Sequence, residues 1–154
     1  MLKVGDRAPD FDLTESDGRT RRLSDVLREG SVLVYFYPSD FTPVCSRQAC
    51  MFRDSHDRLA SAGIRVVGIS PQGGESHGRF REKLNLPFPL VTDADWAISK
   101  AYGAKGFLGM KRVTFLVGSD GVIQDVVRAG FRVGAHADLV ERTLARLDDH
   151  ADTG

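Results

Sequence analysis

A strand signal that runs straight into a helix start constrains this chain more than any other feature. Ser31 to Tyr37, SVLVYFY, is almost wholly apolar, β-branched or aromatic, the pattern of a strand buried on both faces of a sheet. Pro38 ends it. After a short loop, Thr42 followed by Pro43 predicts a helix N-terminus, because threonine is a good N-cap and proline is favoured at the first helical position. Cys45 then falls at N3, in the first turn, where amide protons are unpaired and the positive end of the helix dipole lies. A thiolate is stabilised in such a place, and the thiolate is the reactive form of cysteine. Cys50, five residues on, is the only other cysteine. An activated thiol with a second thiol nearby points to redox chemistry.

The rest of the chain supplies a sheet for that strand. Ile64–Ser70 and Arg112–Val117 are two further buried-strand patterns, and Ser119-Asp120-Gly121 predicts a hairpin turn into Val122–Val127. Asp10–Thr14 and Thr20–Leu23 form a candidate hairpin, and Ser24 is a candidate cap for a short helix ending near Gly30. Cys45, Ala49, Phe52, His56 and Leu59 make one stripe of a helix expected to run to about Gly63, so Cys45 should face the protein. Cys50 falls on a mostly polar face. Glu75–Asn85 is expected as an exposed helix, Asp95 as the cap of a helix through Tyr102, Lys105–Met110 as a loop, and Ala137–Leu147 as a closing amphipathic helix with Leu139, Val140, Leu144 and Leu147 on one side. Strand, helix, strand, then a hairpin and a helix predict an α/β fold with a mixed central sheet flanked by helices, in one domain over residues 1–154.

Composition removes several function classes. With 21 basic and 21 acidic residues the net charge is zero, which argues against a nucleic-acid footprint. No apolar run is long enough for a membrane span, and the first residues lack the apolar core of a secretory signal. A cytoplasmic protein is expected, and in that compartment two cysteines indicate reactive thiols rather than a structural staple. Two cysteines without a histidine pair at ligand spacing fall short of a structural zinc site. No cofactor or metal is expected. His77, His136 and His150 lie in polar contexts and receive no role; His56 and Trp96 are expected to pack.

Pro38, Thr42 and Cys45 match the P-x-x-x-T-x-x-C motif, and with GDRAPDFDL, VYFYPSDFTPVC, VVGISP, LPFPLVTD and RVTFLVGSDG the chain resembles the peroxiredoxins over nearly its whole length. The C-x4-C spacing of Cys45 and Cys50 is similar to that of the peroxiredoxin Q, or bacterioferritin comigratory protein, subgroup. The resemblance implies a thioredoxin-like fold and thiol-dependent reduction of hydrogen peroxide and organic hydroperoxides. It implies Cys45 as the peroxidatic and Cys50 as the resolving cysteine, with Pro38, Thr42 and Arg112 in the active site. Gln48 fits a position where subgroup members carry Glu or Gln, and Phe107 and Met110 are placed at the pocket rim by their nearness to Arg112. The implied partners are a peroxide substrate and thioredoxin or a similar thiol reductant; a monomer is expected, with a dimer as the alternative.

The chemistry agrees with that assignment. When a thiolate attacks a peroxide oxygen, negative charge develops on the departing oxygen, and fixed donors stabilise it. The Thr42 hydroxyl, the Val44 and Cys45 amides and the Arg112 guanidinium could supply such donors, and Pro38 would shield the sulfur from water. A thioredoxin-type dithiol oxidoreductase is the competing function. It would require C-x-x-C, which this chain lacks, and a proline where GMKRVTF has Arg112.

Overall fold

The computed structural model describes residues 2–15, 18–106, 109–128 and 132–153, with 147–153 as backbone only. From the N-terminus come a hairpin of β1 (Asp12–Thr14) and β2 (Thr20–Arg22), helix α1 (Leu23–Leu27), strand β3 (Val32–Phe36), helices α2 (Pro43–Asp54) and α3 (His56–Ser61), strand β4 (Arg65–Ser70), helix α4 (Gly74–Leu84), strand β5 (Leu90–Thr92) and helix α5 (Ala97–Tyr102). A short ladder of β6 (Lys105–Gly106) and β7 (Gly109–Met110), the hairpin of β8 (Val113–Val117) and β9 (Ile123–Arg128), and helix α6 (Val133–Thr153) follow.

The central sheet has the order β5-β4-β3-β8-β9. β3 lies at its middle, parallel to β4 and antiparallel to β8, with Val34 opposite Val67 on one side and Phe115 on the other. The sheet is therefore mixed, as expected. Every residue of β3 and of β8 is buried. Alternation along the strands divides the core in two. Val32, Val34 and Phe36 join Val113, Phe115 and Val117 against α1 and α5 on one face. Leu33 and Tyr35 join Leu116 against α2, α3, α4 and α6 on the other, and Cys45 belongs to this second cluster.

Where the elements differ from expectation, the cause is local. The helix expected through to Gly63 breaks at Ser55, whose amide is shared between the Met51 and Arg53 carbonyls, so the turn tightens and α3 begins afresh. Ser24 does not cap α1. It lies inside the helix, and its amide and hydroxyl both donate to Asp10, at 2.9 and 2.8 Å. At α5 the chief acceptor is the buried Asp93, which takes the Ile98 and Ser99 amides at 3.0 and 2.8 Å, while Asp95 takes the Ala97 amide at 3.2 Å. α4 is not exposed all round, because His77 and Phe80 are buried. Lys105–Met110, expected as a loop, contains the β6–β7 ladder.

The entries to β3 and β4 pass close together. Gly30, at φ +151°, precedes β3, and a Cβ there would strike the backbone carbonyl of Gly63. Neither the φ nor the backbone contact can relax cheaply. Gly30→Ala is expected to lower unfolding stability by roughly 2 kcal/mol or more. A denaturant midpoint equal to that of the unchanged chain would contradict this packing.

Candidate active site

The site forms where β3 ends, beside the start of β8. Pro43 at N1 sets the helical φ and needs no partner for a missing amide proton. Thr42 is the N-cap by position, and its carbonyl accepts the first helical bond from Ser46 at 2.8 Å. Its hydroxyl does not cap the helix. It donates instead to the Ser39 carbonyl at 3.3 Å, which leaves the first-turn amides of Val44 and Cys45 without a side-chain cap. Cys45 occupies N3 and is 1% exposed. Cys50, on the same helix, is half-buried, and both thiols are free.

Arg112 immediately precedes β8 and is buried. Its Nη2 lies 3.2 Å from Cys45 Sγ, and its Nη1 donates to Gln48 Oε1 at 2.7 Å. Cys45 and Gln48 are three apart on α2, so they share a face and present to one guanidinium. The rigid fork of arginine suits this double engagement. The guanidinium stabilises negative charge on the sulfur in a place that water does not reach. Gln48 is fully buried, and its Nε2 has no hydrogen-bond partner among the described residues.

The structure thus brings together Cys45, Arg112 and Gln48, with Thr42 and Val44 at the head of the same helix. Pro38 follows β3 and is exposed. Met110 is buried in the cluster on the other face of the sheet from Cys45, because β7 pairs with β6 beside Tyr102 and Ala104. Phe107 lies outside the described residues.

Two buried histidines went unassigned in the sequence. His136 on α6 is fully buried, with Nδ1 2.7 Å from the Thr114 hydroxyl. His77 on α4 sits 2.8 Å from the buried carboxylate of Asp40, in the loop just before Thr42. Asp40 also accepts from the Tyr37 hydroxyl at 2.7 Å and the Ser76 hydroxyl at 2.7 Å. Burial works to raise the pKa of Asp40, but the hydrogen bonds from His77, Tyr37 and Ser76 outweigh it and hold the carboxyl below its ordinary value. Burial pushes the Tyr37 phenol far above its usual range, so Tyr37 stays a neutral donor. The signal that could have found His77 is its place three residues before Phe80, on one stripe of an otherwise polar helix. Among the described residues no cluster of three or more His, Cys, Asp or Glu could hold a metal ion.

The AhpC/TSA family matches residues 4–126. Peroxiredoxin Bcp of Escherichia coli K12 is 40% identical over 158 aligned positions, covering 97% of this chain and 98% of that protein. The crystal structure of peroxidoxin BcpB from Mycobacterium tuberculosis superposes with a TM-score of 0.86 at 36% identity, covering 95% of this chain and 98% of that one. The Xanthomonas campestris bacterioferritin comigratory protein, described with alkyl peroxide reduction activity, superposes with a TM-score of 0.78 at 30% identity over 92% of each chain. The mixed sheet with helices on both faces is thus the thioredoxin-like α/β arrangement of those proteins.

Arg112→Ala is expected to slow oxidation of Cys45 by hydrogen peroxide by roughly 10²–10³, the usual cost of one preorganised donor. Arg112→Lys should recover only part of this, since a single ammonium cannot engage sulfur and Gln48 as a fork does. Stopped-flow second-order constants measure both, and an unchanged constant for the alanine variant would refute the role.

Proposed function

The chain belongs to the AhpC/TSA family as a peroxiredoxin of the peroxiredoxin Q/bacterioferritin comigratory protein type, and from that premise we propose that Cys45 is the peroxidatic and Cys50 the resolving cysteine. The protein is a thiol peroxidase. The observation that carries the residue assignment is the Arg112 guanidinium 3.2 Å from a buried sulfur in the first turn of a helix.

The Cys45 thiolate attacks one peroxide oxygen in line. The S–O bond forms as the O–O bond breaks, and the departing oxygen leaves as hydroxide or alkoxide and takes a proton. Arg112 stabilises charge on the sulfur beforehand and on the oxygens as they separate. The Val44 and Cys45 amides, uncapped by any side chain, and the unpartnered Gln48 Nε2 are the further donors beside the reacting atoms. Thr42 contributes through its backbone, which starts the helix, and through a hydroxyl held by Ser39. Pro38 ends β3 and turns the chain into the loop.

Cys45 is left as a sulfenic acid. The Cys50 thiolate attacks that sulfur, water departs, and an intramolecular disulfide results. A thioredoxin-like dithiol then reduces the disulfide and is itself oxidised. Hydrogen peroxide and organic hydroperoxides are the substrates. Residues 1–154 act as one catalytic domain, as a monomer with a dimer as the alternative, in the cytoplasm, where thiol donors are plentiful. The balanced charge supports independence from nucleic acid. Among the described residues no helix is long and apolar enough to cross a membrane.

Peroxide consumption by the pure protein with a thioredoxin system tests the activity. Cys45→Ser should abolish turnover with the fold intact, and near-normal turnover would sink the peroxidatic assignment. Cys50→Ser should complete one turnover and stop at the sulfenic acid, which excess peroxide carries to sulfinic acid. Mass spectrometry after one equivalent of peroxide reads this. Absence of a Cys45–Cys50 disulfide in the unchanged protein would remove the resolving role.

A further inference from the structure

The loop between β3 and α2 is short, polar and partly exposed, yet it must hold the head of the catalytic helix in one place. Its backbone is not relaxed. Phe41, next to Thr42, has φ +66°, a left-handed conformation that a bulky side chain rarely adopts, and its ring is 45% exposed. Something outside the loop must impose this geometry.

That something is one stripe of α4. Ser76 and His77 hold the Asp40 carboxylate at 2.7 and 2.8 Å. One turn on, Phe80 takes the Phe41 ring edge-on, with centroids 5.2 Å apart. Another turn on, Lys83 Nζ stands 5.8 Å from the Phe41 ring centre. From the sheet, the Tyr37 hydroxyl closes the ring of donors on Asp40. Two successive loop residues are therefore clamped by four residues of one helix.

The hydrogen bonds also fix the ring in the clamp. His77 Nε2 lies 3.2 Å from the Val91 carbonyl of β5, and Nδ1 lies 2.8 Å from the Asp40 carboxylate. The ring is therefore held at both nitrogens, between the sheet and the loop. The other groups about His77 are the neutral Tyr37, whose hydroxyl is 3.3 Å from Nδ1, and the charged lining of the adjoining cavity: Asp12 of β1, Glu15 and Arg81 of α4. Glu15 is itself paired with Arg65 at 2.6 Å. Asp40 is thus the carboxylate hydrogen-bonded directly to the ring.

We propose that the buried Asp40–His77 pair positions the 38–42 loop, and through it the first turn of α2, for the reaction at Cys45. The proposal rests on Cys45 being the reacting thiol. Neither residue touches substrate. They act by fixing the backbone from which Thr42 and the Val44 and Cys45 amides are presented, where a displacement of about 1 Å is enough to cost two orders of magnitude in rate.

Three variants test this through the second-order rate constant for peroxide, with Cys45→Ser in the same assay. His77→Ala removes the ring and should slow the reaction by roughly 10- to 100-fold. Asp40→Asn and Asp40→Ala are the sharper pair. The asparagine keeps the shape of the clamp, since its Oδ1 can still accept from Tyr37 and its amide can still meet His77 Nδ1, whereas the alanine leaves both without a partner. Asp40→Ala should slow the reaction by roughly 10- to 100-fold, and Asp40→Asn should recover most of that loss, while saturation by the reductant stays as in the unchanged enzyme. Alanine variants at both positions within about twofold of the unchanged enzyme, or an asparagine variant no faster than the alanine one, would overturn the proposal. Turnover retained by Cys45→Ser would instead remove the assignment beneath it.

Discussion

A sulfur held beneath a guanidinium, away from water, is the contact on which the other features depend. Cys45 and Arg112 are 67 positions apart in the chain and 3.2 Å apart in space. Their meeting requires β3 and β8 to be neighbours, α2 to start directly after β3, and Arg112 to stand just ahead of the first residue of β8. The antiparallel β3–β8 pairing, with Phe36 opposite Val113, brings the end of one strand to the beginning of the other. The side chains of both strands are packed in the two cores that flank the sheet, which holds that register. Gln48 then holds the second arm of the guanidinium, so that the charge is aimed and not merely near.

The same helix that presents Cys45 is unsuited to the proposed Cys45–Cys50 disulfide. Cys45 and Cys50 both lie within α2, five residues apart, which on a regular helix means a Cα separation of about 8–9 Å and an angular offset of roughly 140°. A disulfide needs about 4.4–6.8 Å with the side chains turned together. Forming it must unwind the helix between its anchors. The anchors are visible on α4. At one end Asp40 and Phe41 are clamped, and at the other the Arg53 guanidinium donates to the Leu84 carbonyl at 2.8 Å. Between them Ser46, Arg47 and Cys50 are not buried, whereas opening would uncover Cys45, Gln48 and Ala49 and give up the contacts of Arg112.

Much of this was legible in the sequence, for identifiable reasons. Strands covered on both faces leave continuous apolar runs, so β3, β4 and β8 could be placed to within a residue or so. Thr42-Pro43 marks a helix start regardless of what surrounds it, which put Cys45 at N3. The partnership of Arg112 with Cys45 came from resemblance, because no local pattern reports which arginine a fold will bury. The misses share a cause: each depends on what lies across space. Met110 is committed to the cluster on the opposite face of the sheet, and Thr42 turns its hydroxyl to Ser39. Asp40 carries no signal in the sequence and His77 receives no role there, because each sits in a polar stretch although both are buried in the fold.

In the proposed cycle one segment has two incompatible duties, as a helix that activates Cys45 and as an opened chain that joins it to Cys50. Amide hydrogen exchange on the reduced and the disulfide forms tests this most directly. Residues 43–51 should be protected when reduced and labile when oxidised, while Val32–Phe36 and Val113–Val117 stay protected in both. Equal protection of residues 43–51 in the two forms, with the Cys45–Cys50 bond established by mass, would contradict it.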